Sequence, residues 1–308
     1  MTNSQVIVFG SINMDLVATA SRLPRPGETI PGDNFSTIPG GKGANQAVAL
    51  TRLGISTSMI GRVGNDSFGQ DLLTSLKNNG VNTDGVLVDE KHHTGVAMIT
   101  VVTGGENQII VIPGANGKVN QEDLLRLKQQ LPGTSFLLLQ LEIPLNIVES
   151  AIKIAHQLSI QVILDPAPVC NLSLDIYPLL DMITPNATEA EELVGFPVVN
   201  PDDAADAATI LRQRGVKTAI IKLGSQGVYC DTAEEKFFVP AFQVEAVDTV
   251  AAGDAFNGGL TTALMEGLPL RQAVIWGAAA GAISVTKSGA QSSLPSRQTF
   301  QAFLAQQM

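Results

Sequence analysis

An aspartate at the start of a predicted helix, Asp254, follows three small residues, Ala251, Ala252 and Gly253. Small side chains let a ligand approach the backbone, and the start of a helix offers unpaired N–H groups at the positive end of its dipole. We therefore expect these residues to form an anion hole, and Asp254 to accept the proton of an alcohol while phosphoryl charge develops beside it. The alternative is that Asp254 only caps its helix.

Other polar segments are predicted to reach the same place, because most of them follow predicted strands. They are Asn13 and Asp15, residues 41–45, residues 140–142, Asp165, Asn186 with Glu189, and residues 224–227. In a parallel sheet the carboxyl ends of the strands open on one edge, where ligands bind. Taken singly, each segment could equally be a turn or a helix cap, and Asn186 with Glu189 has the spacing of a capping box.

The elements that would position these segments alternate between strand and helix. Predicted strands are 6–9, 58–60, 136–139, 162–164, 182–183 and 218–221, and predicted helices include 68–76, 121–131, 145–158, 187–194, 202–214, 255–265, 270–285 and 297–306. A β-run over 237–247 is predicted to lead into the Asp254 helix. The alternation predicts an α/β fold: a central, mainly parallel sheet flanked by helices in three layers.

Two extended segments interrupt the alternation, approximately residues 12–38 and 93–113. The second contains β-runs 94–102 and 108–112 around a Gly-rich turn at 103–107, which is a hairpin pattern. We expect the two segments to form a small β-sheet lid over the mouth of the core. The division that follows is one α/β domain, residues 1–308, with this lid.

Composition excludes several classes of function. The net charge of −10 provides no basic surface for nucleic acid or an anionic membrane. No apolar run reaches the about 18 residues that span a bilayer, and the N-terminus has no signal-peptide pattern. The two cysteines, Cys170 and Cys230, give no disulfide framework. A cytoplasmic location is therefore expected.

Two common nucleotide motifs are missing. The first strand is followed by Gly10 and then by an extended ribbon, not by the glycines and helix of a dinucleotide fold. Residues 40–43 contain a lysine, but they lack the spacing and the Ser or Thr of a phosphate-binding Walker loop. A dehydrogenase or a Walker-type ATPase is therefore not indicated.

The motifs resemble, in order along the chain, those of the ribokinase-like (PfkB) sugar kinases. They are GSINMD at 10–15, GGKGANQA at 40–47, LQLE at 139–142, DPAP at 165–168, TPNATE at 184–189, LGSQG at 223–227 and DTVAAGD at 248–254. The resemblance implies transfer of the γ-phosphate of ATP to the primary 5-hydroxyl of a pentose, D-ribose being expected. A deoxyribose, other furanose or ketose kinase, or a sugar-binding regulator without turnover, remains the alternative.

The resemblance also implies roles for individual residues. Asp254 would be the base, and Ala251, Ala252 and Gly253 the anion hole. The implied sugar ligands are Asn13, Asp15, Gly41, Lys42, Asn45, Glu142 and Asp254. Carboxylate and amide groups of this kind suit a polyol. The implied ATP ligands are Asn186, Lys222, Gly224, Ser225, Gly227, Gly253 and Ala278.

Two cations are implied in the same way. Asn186 and Glu189 would hold Mg²⁺ through water, an ordinary magnesium arrangement. An activating K⁺ would be bound mostly by backbone carbonyls of Asp248, Val250, Ser284, Lys287, Gly289 and Ser293.

The chain departs from the family pattern at two positions. Ala251 stands where many relatives have glycine, which an alanine can replace if its φ is negative. Ala278 stands where a His or Asn often borders the adenine, so the purine preference is left open. Exposed edges of the lid strands predict a homodimer formed through the lid.

Overall fold

Two β-sheets form the framework of the chain, which a computed structural model describes over residues 6–102 and 107–307. The strands are β1 (Val6–Phe9), β2 (Asn13–Ala20), β3 (Asn34–Gly40), β4 (Thr57–Gly64), β5 (Asn82–Asp89), β6 (Gly95–Val102), β7 (Asn107–Ile112), β8 (Phe136–Leu139), β9 (Gln161–Leu164), β10 (Met182–Ile183), β11 (Thr218–Lys222), β12 (Gly227–Asp231) and β13 (Lys236–Pro240). The helices are α1 (Lys42–Arg52), α2 (Ser67–Asn78), α3 (Gln121–Gln130), α4 (Leu145–Gln157), α5 (Ala187–Val194), α6 (Pro201–Gln213), α7 (Ala252–Met265), α8 (Leu270–Val285), α9 (Ala290–Ser293) and α10 (Arg297–Gln307).

The larger sheet has nine strands in the order β13-β12-β11-β10-β9-β8-β1-β4-β5. Neighbours from β11 to β5 are parallel, and only β12 and β13 run antiparallel at one edge. The carboxyl ends of β1, β8, β9, β10 and β11 therefore meet along one edge of the sheet. This arrangement confirms the predicted three-layer α/β fold.

Helices cover both faces of this sheet, as the apolar strand β1 requires. Val6 and Val8 belong to a core with α1, α2, α7 and α8, whereas Ile7 and Phe9 belong to a second core with α3, α4 and α6. Because successive side chains of a strand point to opposite faces, one fully buried strand contributes to both cores.

The smaller sheet has four strands in the order β3-β2-β6-β7. Strand β2 pairs antiparallel with β3 and parallel with β6, and β6 pairs antiparallel with β7. Its strands lie within the two segments predicted for the lid, although the turn predicted at 103–107 lies mostly outside the described residues. Asn13 pairs with both Gly40 and Gly95, so this sheet begins beside the end of β1.

Most predicted elements are confirmed within one to three residues, and β1, β8, β10, α5 and α8 have the predicted bounds. Strand β5 and the short helix α9 have no counterpart in the prediction. Half of β5 is polar and its buried positions alternate, which makes it an edge strand with a weak apolar signal.

The β-run predicted over 237–247 is wrong beyond Pro240, where β13 ends. Proline has no N–H to continue the pairing. Residues 241–251 form a loop in which Phe242 packs edge-on against Phe303 with ring centroids 5.3 Å apart. Phe242 thus faces the core without forming a strand, whereas Val247 is 61% exposed. Consequently, Asp254 follows a loop, and α7 begins at Ala252, three residues before the predicted start.

No helix in the described part of the chain is long and apolar enough to cross a membrane.

Candidate active site

Asp254 lies in the first turn of α7 and is 5% exposed. Its two carboxylate oxygens accept hydrogen bonds from two different side chains of α1. Asn45 Nδ2 lies 2.9 Å from Oδ2, and Gln46 Nε2 lies 3.1 Å from Oδ1. The carboxylate is therefore held in one orientation by amide donors of α1, and no side chain among the described residues caps the start of α7 by a hydrogen bond.

The surroundings of Asp254 shift its pKa. The pKa of Asp254 is raised to about 6. Burial is the largest cause; Lys42 opposes it, Asp165 adds to it, and the hydrogen bonds from Asn45 and Gln46 oppose it. A carboxyl group with this pKa is mostly ionised at neutral pH, yet it accepts a proton more readily than an ordinary aspartate.

The residues predicted to form the anion hole adopt an unexpected backbone conformation. The φ of Ala251 is +60°, so the condition of a negative φ, under which alanine replaces glycine without strain, is not met. Ala251 is the N-cap of α7, and its left-handed conformation turns the chain from the loop into the helix. The Ala252 N–H already points to Thr249 O at 3.3 Å, whereas a side chain added at Gly253 would come within 3.2 Å of Lys222 Nζ. There is therefore little space beside the N-terminus of α7, and the ammonium group of Lys222 lies next to it.

Three predicted sugar ligands lie where two elements begin: Asn13 at the start of β2, and Gly41 and Lys42 at the start of α1. Gly41, the N-cap of α1, has φ +90°, and an added Cβ would lie 2.6 Å from Asn13 N, so only glycine fits there. Glu142 Oε2 accepts from Lys42 N at 3.1 Å and from the hydroxyl of Ser11. These contacts bring the loops after β1 and β8 to the N-terminus of α1.

Asp15, in β2, completes a group of acidic residues around this point. Burial, Glu142 and Asp254, in this order of importance, raise its pKa to about 7. Burial lowers the pKa of Lys42, but the surrounding carboxylates of Asp254, Asp165, Glu142 and Glu189 outweigh this effect and raise it. The group thus contains several carboxylates with Lys42 as their central positive charge.

Two amides provide further polar atoms. Asn13 Oδ1 accepts from Asn116 Nδ2 at 2.7 Å. In contrast, Asn45 Oδ1 is buried and has no hydrogen-bond partner among the described residues. An unsatisfied buried acceptor is costly, and a ligand hydroxyl would satisfy it.

On the other side of Asp254, Lys222 ends β11 and its Nζ lies 3.0 Å from Asp165 Oδ1. The next residues form a tight turn in which Gly224 (φ +56°) and Gly227 (φ +131°) have left-handed backbones. Gly224 and Ser225 are exposed, and Ala278 is half-buried on α8. The turn therefore presents backbone and small side chains to solvent, as a nucleotide surface requires.

Asn186 and Glu189 form the capping box that the spacing allowed. Asn186 Oδ1 accepts from Glu189 N at 2.9 Å, and Glu189 Oε2 accepts from Asn186 N at 2.7 Å. Burial raises the pKa of Glu189, Lys222 lowers it and Asp165 raises it, so Glu189 belongs to the same charged group. Among the described residues, no three His, Cys, Asp or Glu side chains are arranged to bind a metal directly. A single carboxylate, Glu189, fits a Mg²⁺ ion that is held through water and not directly.

Asp248 connects the two segments predicted to bind K⁺. Its Oδ1 accepts from Val250 N at 3.0 Å and its Oδ2 from Gly289 N at 2.8 Å. Ser284 and Ser293 share a hydroxyl hydrogen bond of 2.7 Å, and Lys287 N donates to Ser284 O at 3.1 Å. The Asp248 carboxylate therefore holds the loop before α7 beside the segment that follows α8.

Five residues that were given no role from the sequence contact the site: Ser11, Gln46, Asn116, Gln140 and Asp165, although Gln140 and Asp165 were expected at this edge of the sheet. Gln46 and Ser11 stand within two residues of predicted ligands, and Asp165 and Gln140 follow strands, so position was the signal for these four. Asn116 lies 103 positions from Asn13 and had no such signal.

Two surface cavities lie elsewhere, with volumes of about 350 and 450 Å³. Both are lined by Lys91, His92 and Lys118, and neither is lined by a residue of the Asp254 group. His92 Nδ1 lies 3.0 Å from Asp89 Oδ1, outside the group described above.

Comparison with known proteins agrees with this fold. Residues 3–297 match the pfkB family of carbohydrate kinases, and the chain belongs to that family. It is 42% identical over 297 residues to a ribokinase of Haemophilus influenzae, covering 96% of this chain and 97% of the relative. It is 36% identical over 301 residues to a deoxyribokinase of Salmonella typhi, covering 97% and 98%.

Solved structures are similar over the whole chain. The crystal structure of a Thermotoga maritima ribokinase superposes with a TM-score of 0.90 at 39% identity, covering 98% of this chain and 99% of that one. An Arabidopsis thaliana ribokinase complexed with ribose and ATP gives a TM-score of 0.90 at 31% identity, covering 98% and 99%.

Proposed function

We propose that this chain transfers the γ-phosphate of ATP to the 5-hydroxyl of D-ribose and releases ribose 5-phosphate and ADP. The observation that carries the proposal is the position of the buried Asp254 carboxylate, held by Asn45 between the acidic group of Asp15 and Glu142 on one side and Lys222 on the other. A polyol donates hydroxyl hydrogen bonds to carboxylates, and a polyphosphate needs a cation. The ribokinases among its relatives, one of them bound to ribose and ATP, support the same substrates.

On the sugar side, Asn13, Asp15, Gly41, Lys42, Asn45 and Glu142 are assigned to the hydroxyls of ribose. The unpartnered Asn45 Oδ1 accepts from one hydroxyl, and the carboxylates accept from others. Because burial and the nearby Glu142 raise the cost of ionising Asp15, a hydroxyl donor that reaches the Asp15 carboxylate stabilises its charged form.

At the reacting centre, the oxygen of the 5-hydroxyl attacks the γ-phosphorus, and Asp254 takes the proton of that hydroxyl. The backbone of Ala251, Ala252 and Gly253 and the positive end of α7 stabilise the transferred charge, and Lys222 lies beside them. Positioning supplies most of the acceleration in phosphoryl transfer.

On the nucleotide side, Asn186, Lys222, Gly224, Ser225, Gly227, Gly253 and Ala278 are assigned to ATP. Asn186 and Glu189 would hold Mg²⁺ through water, and the ion would neutralise phosphate charge. Asp248, Val250, Ser284, Lys287, Gly289 and Ser293 would surround K⁺, which would fix the loop before α7.

A panel of sugars tests the substrate: D-ribose, 2-deoxy-D-ribose and other furanoses and ketoses, with ADP release as the rate and phosphorus NMR to locate the new ester. We expect the highest kcat/KM for ribose and the ester at carbon 5. A higher kcat/KM for deoxyribose would support the alternative, since a deoxyribokinase is also a relative. Sugar binding without ADP release would identify a regulator instead.

The small sheet is proposed as a lid that excludes water and as the surface of a homodimer, so that the chain is one α/β domain with a lid. The face of this sheet opposite Asp15 carries Phe35, Met98 and Ile110, and Ile110 is 64% exposed. A second copy of this sheet would cover these residues. Light scattering should give twice the chain mass, and Ile110→Glu should give a monomer; a monomeric wild type would contradict the dimer.

A cytoplasmic location completes the proposal. The two cysteines are free, as is usual in a reducing compartment. Cell fractionation tests the location.

A further inference from the structure

The side chain of Gln46 lies between two buried carboxylates. Its Nε2 donates to Asp254 Oδ1 at 3.1 Å and to Asp165 Oδ2 at 3.0 Å. Only 1% of Gln46 is exposed. An amide nitrogen has two hydrogens, so one hydrogen serves each carboxylate and neither remains for another partner.

Gln140 fixes the orientation of this amide. Gln140 is fully buried after β8, and its Nε2 donates to Gln46 Oε1 at 2.7 Å. If Gln46 were turned over, its oxygen would face two carboxylates and its NH₂ would face the NH₂ of Gln140. The hydrogen-bond pattern therefore permits one orientation.

The second carboxylate is itself paired with a cation. Asp165 Oδ1 accepts from Lys222 Nζ at 3.0 Å, and Lys222 lies beside the start of α7. The charged groups that act on Asp254 come from several elements: Lys42 from α1, Asp165 after β9 and Asp15 from β2. Of these residues and Gln46, only Gln46 contacts both Asp254 and Asp165 through hydrogen bonds.

We propose that Gln46 is a positioning residue, which keeps Asp254 ionised and aimed at the acceptor hydroxyl and connects it through Asp165 to Lys222. The physical reason is that a donor shared by two buried carboxylates stabilises both negative charges and holds the carboxylates apart. This inference rests on the proposed function, because Asp254 must be the base for its ionisation to limit the rate.

The test is the pH dependence of kcat/KM for ribose in Gln46→Met, a variant of similar length without a donor. Loss of a hydrogen bond to a charged group should move the acid limb to higher pH by about one unit. With the pKa of Asp254 at about 6, we therefore expect a loss of roughly fivefold at pH 6 that approaches tenfold at lower pH, a much smaller loss at pH 9, and an unchanged KM for ATP.

Two more variants separate positioning from folding. Gln140→Met removes only the group that orients Gln46, so the acid limb should move in the same direction by less. Thr262→Val removes a buried hydrogen bond to Gly258 O on α7, two turns beyond Asp254, and should leave the acid limb in place. If Gln46→Met fails to fold by circular dichroism, Gln140→Met provides the measurement.

A wild-type acid limb retained in Gln46→Met or Gln140→Met, with kcat lowered equally at every pH, would overturn the inference and leave Gln46 a packing residue. Failure of the proposed function is a different result, since the wild type would then release no ADP with ribose at any pH.

Discussion

Asn45 Nδ2 lies 2.9 Å from Asp254 Oδ2, although the two residues are 209 positions apart in the chain. The contact depends on close packing of α1 against α7. A Cβ added at Gly258 of α7 would lie 2.5 Å from Ala49 Cβ of α1, so a glycine is needed where the helices touch. The pair joins the helix that would hold the sugar to the helix that would hold the transferred phosphate.

Asp254→Asn should lower kcat by at least ~100-fold, since the amide cannot accept the hydroxyl proton. Ribose binding should survive, because Asn45, Asp15 and Glu142 remain. The measurements are ADP release at saturating substrates and calorimetry with ribose. Turnover near the wild-type value would remove Asp254 from the role of base.

Glu142→Gln should raise the KM for ribose by roughly tenfold and leave the KM for ATP unchanged, as expected for a weakened hydrogen bond to a charged acceptor. Glu142 accepts from Ser11 and Lys42 N, so the variant also loosens the loop after β8. Asn45→Ala should also raise the KM for ribose. Initial rates with each substrate varied in turn provide the measurement, and an unchanged KM for ribose would place Glu142 outside the sugar pocket.

The larger sheet was predictable because its strands are short apolar runs between helices with a 3.6-residue period. Strands β1, β8 and β10 are buried on both faces, which makes their signal continuous. The loop after β13 was not predictable, since Phe242 is apolar for contact with Phe303 and not for pairing in a sheet. A local sequence pattern does not show whether an apolar residue packs from a loop against the core or belongs to a strand.

The position of the candidate site was predictable from topology, but the contacts within it were not. Loops after parallel strands meet at one edge, and Asp165, Glu142 and Asp254 do act on the same lysine, Lys42. The bridge formed by Gln46 depends on the distance between two carboxylates from different elements, which spacing along the chain does not contain. The positive φ of Ala251 also contradicts the usual preference of its residue type.

Asp15→Asn should stabilise the ligand-free protein at pH 8 and change little at pH 4. The pKa of Asp15 is raised from 3.8 to about 7 in the folded state, so its favourable contribution is complete below pH 4 and is lost as the pH rises through 7. We expect a gain of at least ~1 kcal/mol at pH 8, since one pKa unit corresponds to about 1.4 kcal/mol.

Urea unfolding at the two pH values measures this difference. Asp71→Asn, at an exposed position of α2, is the control for removal of a charge alone. A destabilised Asp15→Asn at pH 8 would show that ionised Asp15 is favourable in the folded protein.

Turnover should be faster in K⁺ than in Na⁺ at equal ionic strength, and Asp248→Asn should reduce this difference. Asp248 holds Val250 and Gly289 side by side with both carboxylate oxygens, and an amide can accept through only one atom. A ratio of roughly 5-fold or more is expected for the wild type, the lower range of coupling between two sites. Equal wild-type rates in the two salts would remove the potassium site.

Substitutions at Ala251 should follow the order expected for a left-handed backbone. With φ at +60°, Ala251 bears a strain of about 1–2 kcal/mol, which glycine relieves and a β-branched residue increases. Glycine also loses about 0.5–1 kcal/mol of chain entropy, so Ala251→Gly should differ from the wild type by less than about 1 kcal/mol. Ala251→Val should be less stable than Ala251→Gly and should lower kcat, because it displaces the start of α7 beside Asp254.

The matched control is Ala205, a half-buried position inside α6, where helical φ reverses the order. Glycine costs about 1 kcal/mol in a helix and valine less, so Ala205→Val should be more stable than Ala205→Gly. Urea unfolding of the four variants and kcat for the two at Ala251 provide the comparison. The same order at both positions would mean that the start of α7 relaxes to a negative φ, and the turn into the anion hole would then have to be formed by another residue.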